Sequence, residues 1–73
     1  MEFVQINYPL DRTVYVDGED NGSTNTVIRV DTGTHRFDLG EPLNYAPSFR
    51  RRLVEGTSAL QPLVLDFDPE DNT

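Results

Sequence analysis

A stretch of turn-forming residues between two β-branched runs constrains the fold of this chain more than any other feature. It covers residues 17–24 and reads Asp-Gly-Glu-Asp-Asn-Gly-Ser-Thr. Asp-Gly and Asn-Gly tolerate the positive φ values that tight hairpins and bulged loops require. Together with the runs at residues 13–16 and 26–30, it predicts a strand, a short polar loop and a second strand.

The rest of the chain repeats this pattern of short segments separated by turn residues. Apolar side chains alternate with polar or outward-facing ones over six segments, residues 3–8, 13–17, 26–31, 35–39, 48–54 and 63–67. Such alternation is typical of antiparallel sheets that are buried on one face. Pro and Gly recur too often for a long helix, although one helical turn within residues 41–46 stays open. We therefore predict an all-β fold, a six- to seven-stranded antiparallel β-sandwich, with a partly open barrel as the alternative.

The length of 73 residues predicts one domain. We place a β-sandwich domain at residues 1–67 and an acidic, flexible tail at residues 68–73. Without cysteine, disulfides and thiolate metal sites are excluded, and one His excludes a His-rich zinc cluster. We accordingly expect neither a metal nor a cofactor.

The charge balance of the chain restricts the classes of partner that we expect it to bind. All six basic residues are Arg, and the 13 acidic residues bring the net charge to −7, which disfavours nucleic acid and anionic membranes. No segment approaches the roughly 20 apolar residues of a membrane span. We expect a monomer. If Met1 is the native start, we expect the protein in the cytoplasm, because the first residues lack the pattern of a secretory signal.

Several motifs resemble the PEGA domain. A strand ends in Asp-Gly at residues 14–18, Gly-Ser-Thr at 22–24 precedes a β-branched strand, and Gly-Thr-His opens the strand at 33–37. Residues 44–47, Asn-Tyr-Ala-Pro, look like the family's Gly-Tyr-x-Pro step, and residues 63–67 like its closing apolar strand. PEGA domains are small β-sandwiches appended to larger bacterial and archaeal proteins, often surface or envelope proteins.

This resemblance covers residues 3–67 and implies a binding or spacer module. Asn25 stands where the family has its namesake Pro, and Asn44 where it has Gly. No catalytic residue belongs to the family pattern, so the resemblance implies none here.

The acidic loop partly matches a calcium-binding motif. Asp17, Glu19, Asn21 and Gly22 occupy the first, third, fifth and sixth positions of an EF-hand loop, but Ile28 stands where the bidentate Glu belongs. We predict a solvated hairpin tip, with a weak calcium site as the alternative.

His35 is a candidate general base because its ordinary pKa lies near neutrality. The sequence specifies neither a nucleophile nor an orienting partner for it. We therefore predict that His35 lies at the sheet edge and bonds a turn carbonyl. For the chain as a whole we predict no catalytic residue and no enzyme activity.

The only basic run, Arg50-Arg51-Arg52, offers a partner-binding surface. Strand alternation places Arg51 on one face with Phe49 and Leu53, and Arg50 and Arg52 on the other. We predict that Arg50 and Arg52 contact a partner, since Arg binds carboxylates and phosphates bidentately. Protection of an edge strand against aggregation is the alternative.

Tyrosines could form a second partner surface, because Tyr is favoured in interfaces and sugar-stacking platforms. We predict Tyr15 and Tyr45 as partner-binding residues, with an ordinary place at the core rim as the alternative. The function predicted from the sequence is a non-catalytic module that binds a protein partner through a sheet edge or an Arg-bearing face. A carbohydrate-binding or surface-structure domain of the PEGA kind is the alternative.

Overall fold

The computed structural model describes residues 1–70, which form short strands joined by turns and contain no helix. The strands are β1 (Glu2–Asn7), β2 (Thr13–Val16), β3 (Glu19–Ser23), β4 (Val27–Val30), β5 (Gly33–Asp38), β6 (Tyr45–Ala46), β7 (Arg50–Val54), β8 (Leu63–Asp66) and β9 (Asp68–Pro69). The all-β prediction is thereby confirmed. Within residues 1–70 there is no helix long and apolar enough to cross a membrane.

The strands form two main sheets and one small one. The four-stranded sheet has the order β3-β2-β5-β7 and is antiparallel throughout. The three-stranded sheet has the order β4-β1-β8, in which β1 is antiparallel to β4 but parallel to β8. This parallel pair departs from the predicted antiparallel topology, since β8 does not follow β1 through a hairpin. The two-stranded sheet pairs β6 with β9.

Each of the six predicted segments contains a strand, and β3 adds one where we expected a loop. Asp17 and Gly18 have φ values of 53° and 86°, and two consecutive positive values are what a type I′ turn requires. Val16 pairs with Glu19, so Asp17 and Gly18 between them form the whole turn. The prediction of a polar loop is therefore correct for the turn and wrong for Glu19–Ser23, which return along β2.

The sequence left open one helical turn within residues 41–46, and the structure has none there. Tyr45–Ala46 instead forms a strand that pairs with Asp68–Pro69. That pairing places the first residues of the predicted acidic tail in a sheet. Residues 71–73 of the tail lie outside the described part of the chain.

One apolar cluster lies between the two main sheets and gives the domain a sandwich-like architecture. Alternation in β1 points Val4 and Ile6 inwards, and both are fully buried. The buried hydrophobic residues are Val4, Ile6, Tyr8, Val14, Val16, Ile28, Val30, Phe37, Leu39, Tyr45, Val54, Leu65 and Phe67. Since both main sheets contribute to this cluster, its burial joins them into a single unit.

Candidate binding surface

The strand β7 lies at one end of the four-stranded sheet, and its outer side has no partner strand among residues 1–70. We call this side the β7 edge. The β3 end of the sheet is likewise unpaired among residues 1–70. Each end has one side-chain bond to the other main sheet, because the Asn21 amide in β3 donates to the Arg29 carbonyl of β4 at 2.8 Å and Arg50 in β7 donates to the Asp66 carbonyl of β8. An unpaired edge presents main-chain donors and acceptors to which another strand can bind. The β7 edge can therefore extend the sheet, and the arginines described next distinguish it from the β3 edge.

Four of the six arginines lie at or next to this edge. Arg50, Arg51 and Arg52 belong to β7, and Arg36 of β5 is directly opposite Arg51. The Arg50 Nε donates to the Asp66 carbonyl at 2.8 Å, which bridges the ends of β7 and β8. Arg52 is exposed, opposite His35. A chain with an acidic total charge thus concentrates its cations at one sheet edge.

The alternation of β7 establishes which of its faces is buried. Val54 is fully buried, whereas Leu53 is 55% exposed and Phe49 is 41% exposed. The face with Phe49, Arg51 and Leu53 is therefore the solvent face, which explains why an arginine shares it. The guanidinium carbon of Arg36 lies 4.6 Å from the centre of the Phe49 ring on this face.

The two predicted tyrosines lie in different environments. Tyr15 is half-buried on the outer face, packed against Gly40. Tyr45 is 3% exposed, and its hydroxyl donates to the Gly40 carbonyl at 2.9 Å and accepts from the Leu39 N–H at 3.1 Å. Its ring belongs to the core, so the structure corrects its assignment as a partner-binding residue. A tyrosine platform for sugars would have to rest on Tyr15.

His35 lies between two oxygen acceptors. Its Nδ1 is 2.6 Å from the Asp17 carboxylate, and its Nε2 is 2.6 Å from the Asp31 carbonyl. The bond to a turn carbonyl agrees with our prediction, but β5 lies between β2 and β7 and not at the sheet edge. Both ring nitrogens can donate only in the imidazolium form. The hydrogen bond with Asp17 accordingly raises the pKa of His35, opposed in part by desolvation.

The same contacts occupy the acidic loop that resembles a calcium motif. The Asp17 carboxylate also accepts the Arg36 backbone N–H at 3.0 Å, and this bond and then the one with His35 lower its pKa. The Asn21 amide is directed at β4. Among residues 1–70, no group of three or more His, Asp or Glu side chains is arranged to hold a metal ion.

Two polar residues that sequence reasoning missed organise the surrounding loops. Arg12 donates to the Asn44 side chain and to the carbonyls of Leu39, Gly40 and Pro42, and its guanidinium carbon is 4.9 Å from the Tyr45 ring centre. Glu2 accepts from the Thr32 hydroxyl at 2.6 Å and from the Thr57 N–H at 2.9 Å. These partners are distant in sequence, so no local motif could have indicated them.

Comparison with known proteins finds no matching family model, no matching curated protein and no matching solved structure. The PEGA resemblance therefore stays a prediction. Asn25, at the position of the family's Pro, has a φ of 63°, which a proline ring excludes. Its side chain instead bonds both the N–H and the carbonyl of Tyr8, at 3.1 and 2.7 Å.

Proposed function

We propose that this chain is a non-catalytic interaction module that binds an extended, acidic segment of a partner protein along the β7 edge. The observation that carries the proposal is the coincidence of an unpaired strand edge with three consecutive arginines. The main chain of β7 can bond a strand of almost any sequence, so the arginines would supply the preference for acidic residues. A binding module is also the class of function that the PEGA resemblance implies.

The net charge of −7 does not preclude an acidic partner. At physiological ionic strength the Debye length is about 8 Å, so acidic groups farther away are largely screened. Contacts within hydrogen-bond distance of the guanidinium groups are screened much less. The local charge of the β7 edge therefore decides which segment binds there.

A second copy of this chain is a less suitable occupant of the same edge. Two β7 strands paired side by side would bring arginines of one copy next to arginines of the other. Like charges on adjacent strands are destabilising, and charged edge strands are a common protection against such pairing. The arginines thus favour an acidic partner over self-association.

The test uses a fluorescent ten-residue peptide of alternating Glu and Val, and a second peptide with Gln in place of Glu. We expect the Glu peptide to bind more tightly, with the difference reduced at high salt. Arg52→Gln should weaken its binding by about threefold, the effect of one exposed ion pair. Arg29→Gln removes an equal charge from the exposed Arg29 on β4 and should leave binding unchanged. Equal affinity for the two peptides, or self-association in sedimentation, would contradict the proposal.

A further inference from the structure

Two arginines on the outer face oppose each other, and neither forms an ion pair with a carboxylate within residues 1–70, although Asp17 is near enough for Arg51 to help lower its pKa. Arg36 and Arg51 are direct cross-strand partners on β5 and β7. Within residues 1–70 the ion pair between His35 and Asp17 is the only one, so neither of these arginines has an acidic partner. Like charges placed directly opposite on neighbouring strands are destabilising. A bound anion would relieve this repulsion.

The nearest acidic side chains are engaged elsewhere. The Asp38 carboxylate accepts the Gly40 N–H at 2.9 Å, within its own turn. The Asp17 carboxylate is held by the Arg36 backbone N–H and by His35. Both acids line, together with Arg36 and Arg51, a shallow groove of about 410 Å³. The guanidinium groups therefore retain hydrogen-bond donors for a group from outside the chain.

The Phe49 ring determines where the Arg36 guanidinium lies. Arg36 belongs to β5, but its guanidinium carbon is 4.6 Å from the centre of the Phe49 ring, which directly precedes β7. The side chain thus extends across from β5 to β7, in the direction of the β7 edge. Stacking on an aromatic face orders the planar group while its N–H edges stay available to a carboxylate.

We propose that Arg36 and Arg51 form a clamp for one carboxylate side chain of the segment that pairs with β7. This inference rests on the proposed function. Strand side chains on one face recur every second residue, so the residue two positions from this carboxylate lies beside Leu53. Leu53 is 55% exposed and favours an apolar neighbour. A segment parallel to β7 would therefore carry an acidic residue, any residue and an apolar residue in succession, and an antiparallel segment would carry the same residues in the reverse order.

The test is a double-mutant cycle with two peptides. The first is a threonine-rich strand peptide with one Glu and a Leu two residues before and two residues after it, so that either orientation on β7 is tested, and the second has Gln in place of that Glu. Against the unchanged chain, we expect the Gln peptide to bind about fivefold more weakly, within the range of a bidentate ion pair at a surface. Against the double variant Arg36→Gln/Arg51→Gln the two peptides should bind equally, whereas Arg29→Gln should preserve the full difference. Thermal unfolding of each variant confirms that the fold is retained.

The outcomes separate the clamp from the general function. If both peptides bind the unchanged chain equally and shift the β7 amide resonances, the clamp is wrong and edge binding stands. If the full difference persists in Arg36→Gln/Arg51→Gln, the selectivity comes from another residue and the clamp is likewise overturned. If neither peptide binds at all, both the clamp and the proposed function fail.

Discussion

At the scale of single residues, His35 has the clearest consequence for solution behaviour. Its two ring nitrogens face the Asp17 carboxylate and the Asp31 carbonyl, and Arg52 lies opposite on β7. Glu19, Asp20, Arg29 and the N-terminal residue line the neighbouring groove. The hydrogen bond with Asp17 raises the pKa of His35 above 6.5, and desolvation opposes this increase in part.

The raised pKa of His35 predicts a loss of stability with rising pH. Its contribution is fully present below the unfolded pKa of 6.5 and is lost as the pH rises through the higher pKa of the folded state. Urea unfolding of the unchanged chain and of His35→Gln should measure this between pH 5 and pH 9. The difference in unfolding free energy between the two should shrink across that range. A constant difference would show that His35 is not charged in the fold.

The lowered pKa of Glu2 predicts the opposite pH dependence, a loss of stability as the pH falls. Hydrogen bonds from the Thr32 hydroxyl, then from the Thr57 hydroxyl and N–H, lower the pKa of Glu2 from 4.5 to about 2. Its contribution is present above pH 4.5 and is lost as the pH falls towards 2. Glu2→Gln should therefore be less stable than the unchanged chain at pH 6, with the difference declining in acid. Thr57→Val removes one of these donors and should reproduce part of the effect. If the stability difference between Glu2→Gln and the unchanged chain is as large at pH 2 as at pH 6, this hydrogen-bond network is wrong.

At the scale of elements, the turn after β5 depends on Gly40. Its φ is 68°, and a Cβ at this position would lie 2.5 Å from the Tyr15 ring. Gly56 has nearly the same φ of 69°, but among residues 1–70 no atom beyond its chain neighbours lies within 4 Å of such a Cβ. Substitution of Gly56 therefore tests backbone strain alone, whereas substitution of Gly40 adds a steric clash with Tyr15.

Gly40→Ala should destabilise the fold by roughly 2 to 4 kcal/mol, because backbone strain adds to displacement of Tyr15. Gly56→Ala should cost about 1 kcal/mol, from backbone strain alone. Urea denaturation provides both free energies. Equal losses would mean that Tyr15 does not pack against Gly40 as described.

The buried Tyr45 hydroxyl makes a second prediction for the same turn. Tyr45→Phe removes the donor to the Gly40 carbonyl and the acceptor for the Leu39 N–H. Leaving such buried groups unpaired should cost about 1 to 3 kcal/mol in urea denaturation. Tyr15→Phe is the matched control at a half-buried position that makes no hydroxyl hydrogen bond within residues 1–70, and it should change stability little. Similar losses for the two variants would refute the assignment of Tyr45 to the core.

The elements differ in how far their sequence could predict them. Alternation predicted β1, β5 and β8, because each has one buried face. It missed β3, since Glu19–Ser23 has no apolar residue and owes its strand conformation to the Asp17-Gly18 turn and to β2. It identified the arginines of β7 but not the outer position of Phe49 and Leu53, which depends on how β7 pairs with β5. The Arg36–Arg51 pair was missed for the same reason.

At the scale of the whole molecule, one unpaired strand edge coincides with an uneven distribution of charge. Arginines cluster along β7, while Asp17, Glu19, Asp20 and Asp31 line a groove together with His35 and Arg29. One side-chain bond connects the two main sheets at each end of the four-stranded sheet, from Asn21 at the β3 end and from Arg50 at the β7 end. The β7 edge therefore combines an unpaired main chain with positive charge.

The most direct test of this account is an NMR titration of the full ¹⁵N-labelled chain with the alternating Glu and Val peptide. We predict that the largest amide shifts fall within Arg50–Val54, that they diminish in high salt, and that they are smaller in Arg52→Gln than in Arg29→Gln. Shifts centred on Glu19–Ser23 or Val27–Val30, or no shifts at all, would contradict the central claim that the β7 edge is the binding surface.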